Sequence, residues 1–274
     1  SFADKFNTKH INALNSQIYP VFEWATVEKR GCQYSPAPTI YNGQLIVSTG
    51  YCAAGDDRVY GINLDTGNYN WEMPFTSYGN GFIIGANGTA YHTDGGNDTF
   101  KAIDLDSQNV KWTYNFVGGH SGNDIFLADD GTVYSMRESG GIVTLYAMNA
   151  DGSLKYSQVI SSGLYSVTPL LGLGDIIYFG STANTYDAGK LYAFNIKTRA
   201  FLWSVDMGPV YTQPIMGSDG VIYVGECESS TSGSYKIYAI NLDGTIKWQS
   251  NPNGDTDFGY CNSMSLRSDG VIVA

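Results

Sequence analysis

Five copies of one hairpin constrain this chain more than any other feature of its sequence. "VYGINLDTGNYNW" (59 to 71), "FKAIDLDSQNVKW" (100 to 112), "LYAMNADGSLKY" (145 to 156), "LYAFNIKTRAFLW" (191 to 203) and "IYAINLDGTIKW" (237 to 248) share one pattern. Each runs through an apolar strand, a small residue, an Asn or Asp, a tight turn, and a second strand that closes on Trp or Tyr. Ahead of each stands another hairpin built on a Gly-containing turn: "TIYNGQLIVSTG", "FIIGANGTAYHTDG", "IFLADDGTVYSM", "LLGLGDIIYFGS" and "IMGSDGVIYVGE". Asn-Gly and Asp-Gly between alternating apolar residues are strong hairpin signals. Each period therefore reads as four antiparallel strands, A to D, and self-similarity at 40 to 50 residues implies a propeller or solenoid.

Four-stranded units at this spacing are propeller blades, each sheet packed face to face on its neighbours around a channel. The expected fold is an all-β, six-bladed β-propeller forming a single domain over 1–274. Its blades fall at about 32–72, 77–114, 120–158, 164–205 and 210–249, with a last one from 260–274 plus 11–27. That last blade joins the C-terminal hairpin "MSLRSDGVIVA", which lacks C and D strands, to "INALNSQIYPVFEW", which lacks A and B and carries Ala13, Asn15 and Trp24 in the repeat's order. Joining them leaves no open edge at the closure. Trp24, Trp71, Trp112, Tyr156, Trp203 and Trp248 are expected to be scaffold, each ring lying over a small residue such as Gly61, Ala102, Ala147, Ala193 or Ala239.

The hairpins resemble the PQQ-like, or quinoprotein, repeat, whose blades end in an Ala-x-Asp-x-x-Thr-Gly-x-x-x-Trp motif. "INLDTGNYNW" (62 to 71) is the nearest match; Tyr156 in place of Trp and "NIKTRAF" in place of a Thr-Gly turn depart from it. The resemblance implies the fold. Quinoprotein enzymes hold PQQ on calcium over an eight-bladed ring with a vicinal Cys-Cys, and this sequence has neither eight blades nor adjacent cysteines. The expectation is a member without PQQ and without another cofactor, since a superfold does not carry one activity with it.

Charge narrows the partners. A net charge of -11 with 15 Lys plus Arg argues against a nucleic-acid surface, which depends on clustered cations. No apolar run reaches the roughly 18 residues of a membrane span, and the polar opening does not read as a signal peptide, so the expectation is a processed, non-inserted chain. Acidity, 21 Tyr and an even number of cysteines suggest an extracellular or periplasmic setting. Cys32 and Cys52 fall nearly opposite each other in the first blade, and Cys227 and Cys261 lie so as to tie the last two; other pairings stay open.

A-B and C-D turns share one face and read as tight, whereas B-C and D-A connections share the other and read as longer and different in every blade. Binding residues gather on variable loops of rigid scaffolds. Just ahead of strand A stand Tyr34, Tyr78, Tyr165, Tyr211 and Tyr260, with His120 at the remaining position and His92 in a neighbouring blade. Such rings either cover the inner blade ends or form a platform for sugar stacking. Asp94, Asn97 and Asp98 offer clustered oxygens of the kind calcium takes, but without EF-hand spacing, so solvated loop acids are expected there. No nucleophile elbow, H-E-x-x-H or phosphate loop occurs. The sequence thus points to a binding module for a glycan or protein, with a carbohydrate-active enzyme or a scaffold in a larger assembly as the alternatives.

Overall fold

The computed structural model describes residues 33–34, 38–50, 57–74, 82–94, 98–116, 124–162, 164–166, 169–183, 188–210, 212–226, 236–250, 264–267 and 270–273. The described residues form strands and turns, with no helix among them. Five sheets follow the repeat, and each is wholly antiparallel.

Blade 1 contains β1 (Gln33–Tyr34), β2 (Thr39–Tyr41), β3 (Gln44–Gly50), β4 (Arg58–Asn63) and β5 (Tyr69–Pro74). Blade 2 contains β6 (Ile83–Ile84), β7 (Thr89–Asp94), β8 (Thr99–Asp104) and β9 (Asn109–Asn115). Blade 3 contains β10 (Asp124–Leu127), β11 (Val133–Ser139), β12 (Ile142–Met148) and β13 (Leu154–Ser162). Blade 4 contains β14 (Leu164–Ser166), β15 (Leu170–Leu171), β16 (Ile176–Ala183), β17 (Gly189–Asn195) and β18 (Ala200–Met207). Blade 5 contains β19 (Ile215–Met216), β20 (Ile222–Glu226), β21 (Lys236–Ile240) and β22 (Ile246–Ser250). A final hairpin pairs β23 (Ser265–Leu266) with β24 (Ile272–Val273).

That final hairpin repeats an inner pair. Its turn bonds, Arg267 N–H to Val271 O and Gly270 N–H to Arg267 O, match those of Gly217 to Val221 and Gly220 to Gly217 one blade earlier. Leu266 and Met264 lie beside Gly217 and Gly225 of blade 5, as a following blade's inner strands would. Residues 11–27, Trp24 and the proposed closure lie outside the described residues.

Both faces of a blade are apolar because each packs on a neighbour. Between blades 1 and 2, Ile46, Val59 and Met73 meet Phe82, Ala90 and Ile103. Between blades 3 and 4, Phe126, Met136 and Leu145 meet Ile177, Phe179 and Phe194.

The expected pairing of small residue and large ring is present as a cross-strand register: Gly61 opposite Trp71, Ala102 opposite Trp112, Ala147 opposite Tyr156, Ala193 opposite Trp203, and Ala239 opposite Trp248. A Cβ on Gly61 would fall 2.3 Å from the Trp71 ring, so at that site the small residue is a steric requirement. The rings also reach forward. Trp112 Nε1 donates to Ala150 O at 3.0 Å and Trp203 Nε1 to Leu242 O at 2.8 Å, each in the C-D turn of the next blade. There they lie against Gly152 and Gly244, glycines with φ of +87°.

The two departures noted from the repeat motif turn out to be the two sides of one joint. Tyr156 of blade 3 donates its hydroxyl to Ile196 O of blade 4 at 2.8 Å, the carbonyl in the same turn position as Ala150 and Leu242. Where a glycine would lie under a Trp, Arg199 stands with φ of +58° and lays its guanidinium over the Tyr156 ring, 4.1 Å from the centroid. A cation–π contact replaces indole on glycine.

Every outer strand carries a bulge immediately before its docking ring. Asn70, Lys111, Lys155, Leu202 and Lys247 occupy it, each skipped where the register shifts. A bulge re-aims the side chain it holds. Lys111 reaches Thr89 Oγ1 at 3.1 Å and Lys155 reaches Thr132 Oγ1 at 2.8 Å, while Lys247 stands 3.6 Å from Asp219; each laces the outer strand to its own blade's A-B turn region.

Candidate functional site

The upper ends of the B strands share a register set by the small residues of strand C. Ile46, Tyr91, Tyr134, Tyr178 and Tyr223 lie opposite them, and three positions on come Thr49, Asp94, Arg137, Ser181 and Glu226. All five side chains are polar, and the four that are described are buried. In blades 1 and 4 the hydroxyl is used within the sheet: Thr49 Oγ1 accepts from Arg58 N at 2.9 Å and Ser181 Oγ from Lys190 N at 3.2 Å.

In blades 3 and 5 the same position reaches back to the preceding blade. Arg137, with a side chain only 3% exposed, donates from Nη2 to Asp98 Oδ1 at 2.8 Å and rests on the Phe116 ring, 4.1 Å from its centroid. Glu226 Oε2 accepts from Gly208 N at 2.8 Å and from the Tyr238 hydroxyl at 3.0 Å, with Lys236 Nζ 3.5 Å from its other oxygen. Burial, reinforced by Glu226, pushes the Tyr238 phenol well above its usual range. Both residues fasten one blade's upper end to the next.

These partnerships revise several sequence expectations. Asp98, one of three oxygen donors considered for calcium, has its carboxylate on Arg137, so a guanidinium already neutralises what a cation would need. Asp94 ends β7, and Asn97 lies outside the described residues. Among the described residues no cluster of three His, Cys, Asp or Glu is arranged to hold a metal. His92 is not on the loop face: it is 0% exposed, and its ring packs 5.0 Å from Phe82 between blades 1 and 2.

Tyr34 and Tyr165 are not in loops ahead of strand A. Their backbones lie in β1 and β14, the upper segments of first strands that are split in two, paired with Thr49 and Thr182 respectively. Blades 1 and 4 thus share an upper geometry. Tyr78, His120, Tyr211, Tyr260, Cys32, Cys52, Cys227 and Cys261 lie outside the described residues.

The expectation that every B-C connection is long fails at blade 3. Ser139 pairs with Ile142 across a turn of Gly140 and Gly141, whose φ of +57° and +80° are those of a two-residue hairpin. Glu138 is buried there and accepts from Gly141 N at 2.6 Å. The connection onward is equally short, since β13 ends at Ser162 and β14 begins at Leu164. In blade 5, by contrast, residues 227–235 separate β20 from β21. The loop face is low at blade 3, and the Gly-Gly pair was the sequence signal for it.

A family model described as outer membrane protein assembly factor BamB matches residues 55–208 and 97–264, together more than half of the chain. The chain belongs to this BamB-type family of PQQ-like propellers. BamB from Moraxella catarrhalis superposes with a TM-score of 0.55 at 19% identity, covering 86% of this chain and 70% of that one. A catalytically inactive virginiamycin B lyase from Staphylococcus aureus, solved with quinupristin, gives a TM-score of 0.61 at 16% identity over 91% of this chain and 86% of that one. A europium-containing methanol dehydrogenase gives 0.61 at 12% identity, covering 86% and 63%. At such identities the likeness to these structures is one of fold. No curated protein matches the sequence.

Proposed function

We propose that this BamB-type propeller is a noncatalytic protein-binding module of the cell envelope, recognising its partner through the B-C and D-A face. One observation carries the reading. The described polar side chains at the upper strand ends, the groups an enzyme would turn on a substrate, are buried and joined to their own or a neighbouring blade. What varies above that fixed platform is loop length, from the Gly140–Gly141 turn to the 227–235 segment. A rigid base under unequal loops suits recognition of a shaped protein surface.

Membership of a family described as an outer membrane assembly factor supports a protein ligand and a periplasmic or envelope setting. No helix among the described residues is long and apolar enough to cross a membrane. The test is site-specific photo-crosslinking in the native envelope, with the probe at exposed Ile142 and a control at exposed Asn42 on the opposite face. A protein adduct of defined mass at Ile142 and none at Asn42 is the expected result. Glycan binding confirmed by calorimetry without such an adduct, or turnover of a bound glycan, would replace the reading with a carbohydrate-directed one.

A further inference from the structure

Among the described residues glycine follows an Asn or Asp six times, each time in a hairpin turn: at Asn42, Asn87, Asp130, Asp151, Asp219 and Asp243. Such a pair is chemically labile, because glycine has no Cβ to keep its backbone nitrogen from closing on the preceding side-chain carbonyl. In five of the six the fold ties both reacting groups. The glycine N–H donates to the backbone carbonyl three residues back, as Gly88 does to Gly85 O at 3.0 Å and Gly244 to Asn241 O at 2.9 Å. The side-chain oxygen accepts from the N–H two residues on, as Asn87 Oδ1 does from Thr89 at 3.2 Å and Asp243 Oδ1 from Thr245 at 2.9 Å.

Asn42 is held by neither bond. Its turn has two residues, Asn42 and Gly43 with φ of +46° and +71°, between the paired ends Tyr41 and Gln44. In such a turn the central N–H groups point away from the ladder. Neither the Gly43 N–H nor the Asn42 side chain makes a hydrogen bond to any described residue. Asn42 is exposed, and a Cβ on Gly43 would meet nothing within 4 Å, so nothing crowds the tip. The strand before it, β2, has three residues, so local opening of the turn breaks few bonds.

We propose that Asn42 is a site of spontaneous deamidation, converting to isoaspartate and aspartate in the folded protein while Asn87, the other described Asn-Gly pair, is protected. Gly43 N, losing its proton to hydroxide from solution, attacks Asn42 Cγ; the Cγ–Nδ2 bond breaks and the amide nitrogen leaves as ammonia. Water then opens the succinimide. Cleavage of the ring nitrogen from Cγ leaves aspartate, and cleavage from the backbone carbonyl carbon leaves isoaspartate, with one more methylene in the main chain. A two-residue turn has no room for that atom, because its length sets the register of Thr39 with Ile46. The same short strand carries contacts of blade 1 with blade 2: Thr39 Oγ1 donates to Phe82 O at 3.2 Å, and the hydroxyl end of Tyr41 sits against Gly88. The isoaspartyl product therefore loosens the inner edge of blade 1.

The experiment ages the whole chain at mildly alkaline pH, folded and in urea, and follows amide-to-acid conversion at each Asn by peptide mass spectrometry, with isoaspartate read by fragmentation. Conversion in urea, where neither pair is held, supplies the intrinsic rate of each. Relative to those rates, Asn42 in the folded chain should convert about tenfold or more faster than Asn87, whose attack must first break two hydrogen bonds. Asn42 as slow as Asn87 in the folded chain overturns the proposal, as does faster conversion at Asn87. Hydrogen exchange should show β2 and β3 amides losing protection as isoaspartate accumulates. Asn42→Gly copies the Gly140–Gly141 turn of blade 3 and removes the reacting amide, so it should stay protected through the same ageing. Equal loss of protection in Asn42→Gly, or full protection in the isoaspartyl chain, overturns the link to blade 1.

Discussion

The joint between Tyr156 and Arg199 can be taken apart by a double-mutant cycle. Arg199 holds a left-handed backbone, which costs a side-chain-bearing residue about 1 to 2 kcal/mol relative to glycine. Against this, its guanidinium lies 4.1 Å from the centre of the Tyr156 ring, worth about 0.5 to 1 kcal/mol where solvent is near. Arg199→Ala keeps the strained backbone and loses the ring contact, so it should destabilise by about 1 kcal/mol. Arg199→Gly loses the same contact but relieves the backbone, and should lie within about 0.5 kcal/mol of wild type. Tyr156→Trp should destabilise beside Arg199 and be tolerated beside Gly, where it rebuilds the Trp112–Gly152 arrangement, with a coupling of about 1 kcal/mol. Urea unfolding of the four proteins measures this; at a slope of about 3 kcal/mol/M, a loss of 1 kcal/mol moves the midpoint by about 0.3 M. An Arg199→Ala midpoint equal to wild type, or Arg199→Gly less stable than Arg199→Ala, would refute the reasoning.

Gly244→Ala should cost about 2 to 4 kcal/mol, because its Cβ would stand 2.8 Å from the Trp203 ring at a φ of +87°. Gly131→Ala, with φ of +80° and open space, should cost about 1 kcal/mol in the same denaturation assay. Arg137→Ala should destabilise by about 3 kcal/mol, since it removes the buried guanidinium that pairs with the Asp98 carboxylate, and Arg137→Met with Asp98→Ala should recover much of that by calorimetry. Burial holds the phenols of Tyr134, Tyr178 and Tyr238 above their ordinary value of 10.0. The unfolded chain releases those protons first, so stability should be intact below about pH 10 and fall as pH rises beyond it. Melting temperature followed together with tyrosinate absorbance tests this; ionisation of all tyrosines near 10 with the fold intact would contradict it.

The blade pattern was legible because it is local: the small residue and the ring that faces it are nine or ten residues apart, as at Ala147 and Tyr156 or Gly61 and Trp71, and a tight turn joins them. Reach across blades was not. Tyr156 and Arg199 each look like a loss of the motif until the fold brings them together, 43 positions apart in sequence. His92 was misplaced for a different reason. Alternation along a strand distinguishes water from core when one face is wet, but blade 2 is covered on both sides, so the period of two gave no side for solvent. Arg137 carries no signal in the sequence, because its partners Asp98 and Phe116 belong to the preceding blade. The bulges left one trace, a lysine directly before the ring in three blades, and Leu202 is visible as an exception only against it.

The forward reach of the rings gives the propeller a direction. Trp112, Tyr156 and Trp203 each depend on the turn of the blade that follows, while that turn asks nothing of its own ring. The transferable unit is consequently not a blade but a half-blade pair, an outer strand with the next turn. A chimera cut between β13 and β14 would put Tyr156 over a turn shaped for indole, or Arg199 under a ring it does not match. A cut within the sheet, after the C-D turn and before the docking ring, as between Arg199 and Trp203, would carry each joint across whole. Gain or loss of repeats in such a chain should therefore leave its seams inside blades.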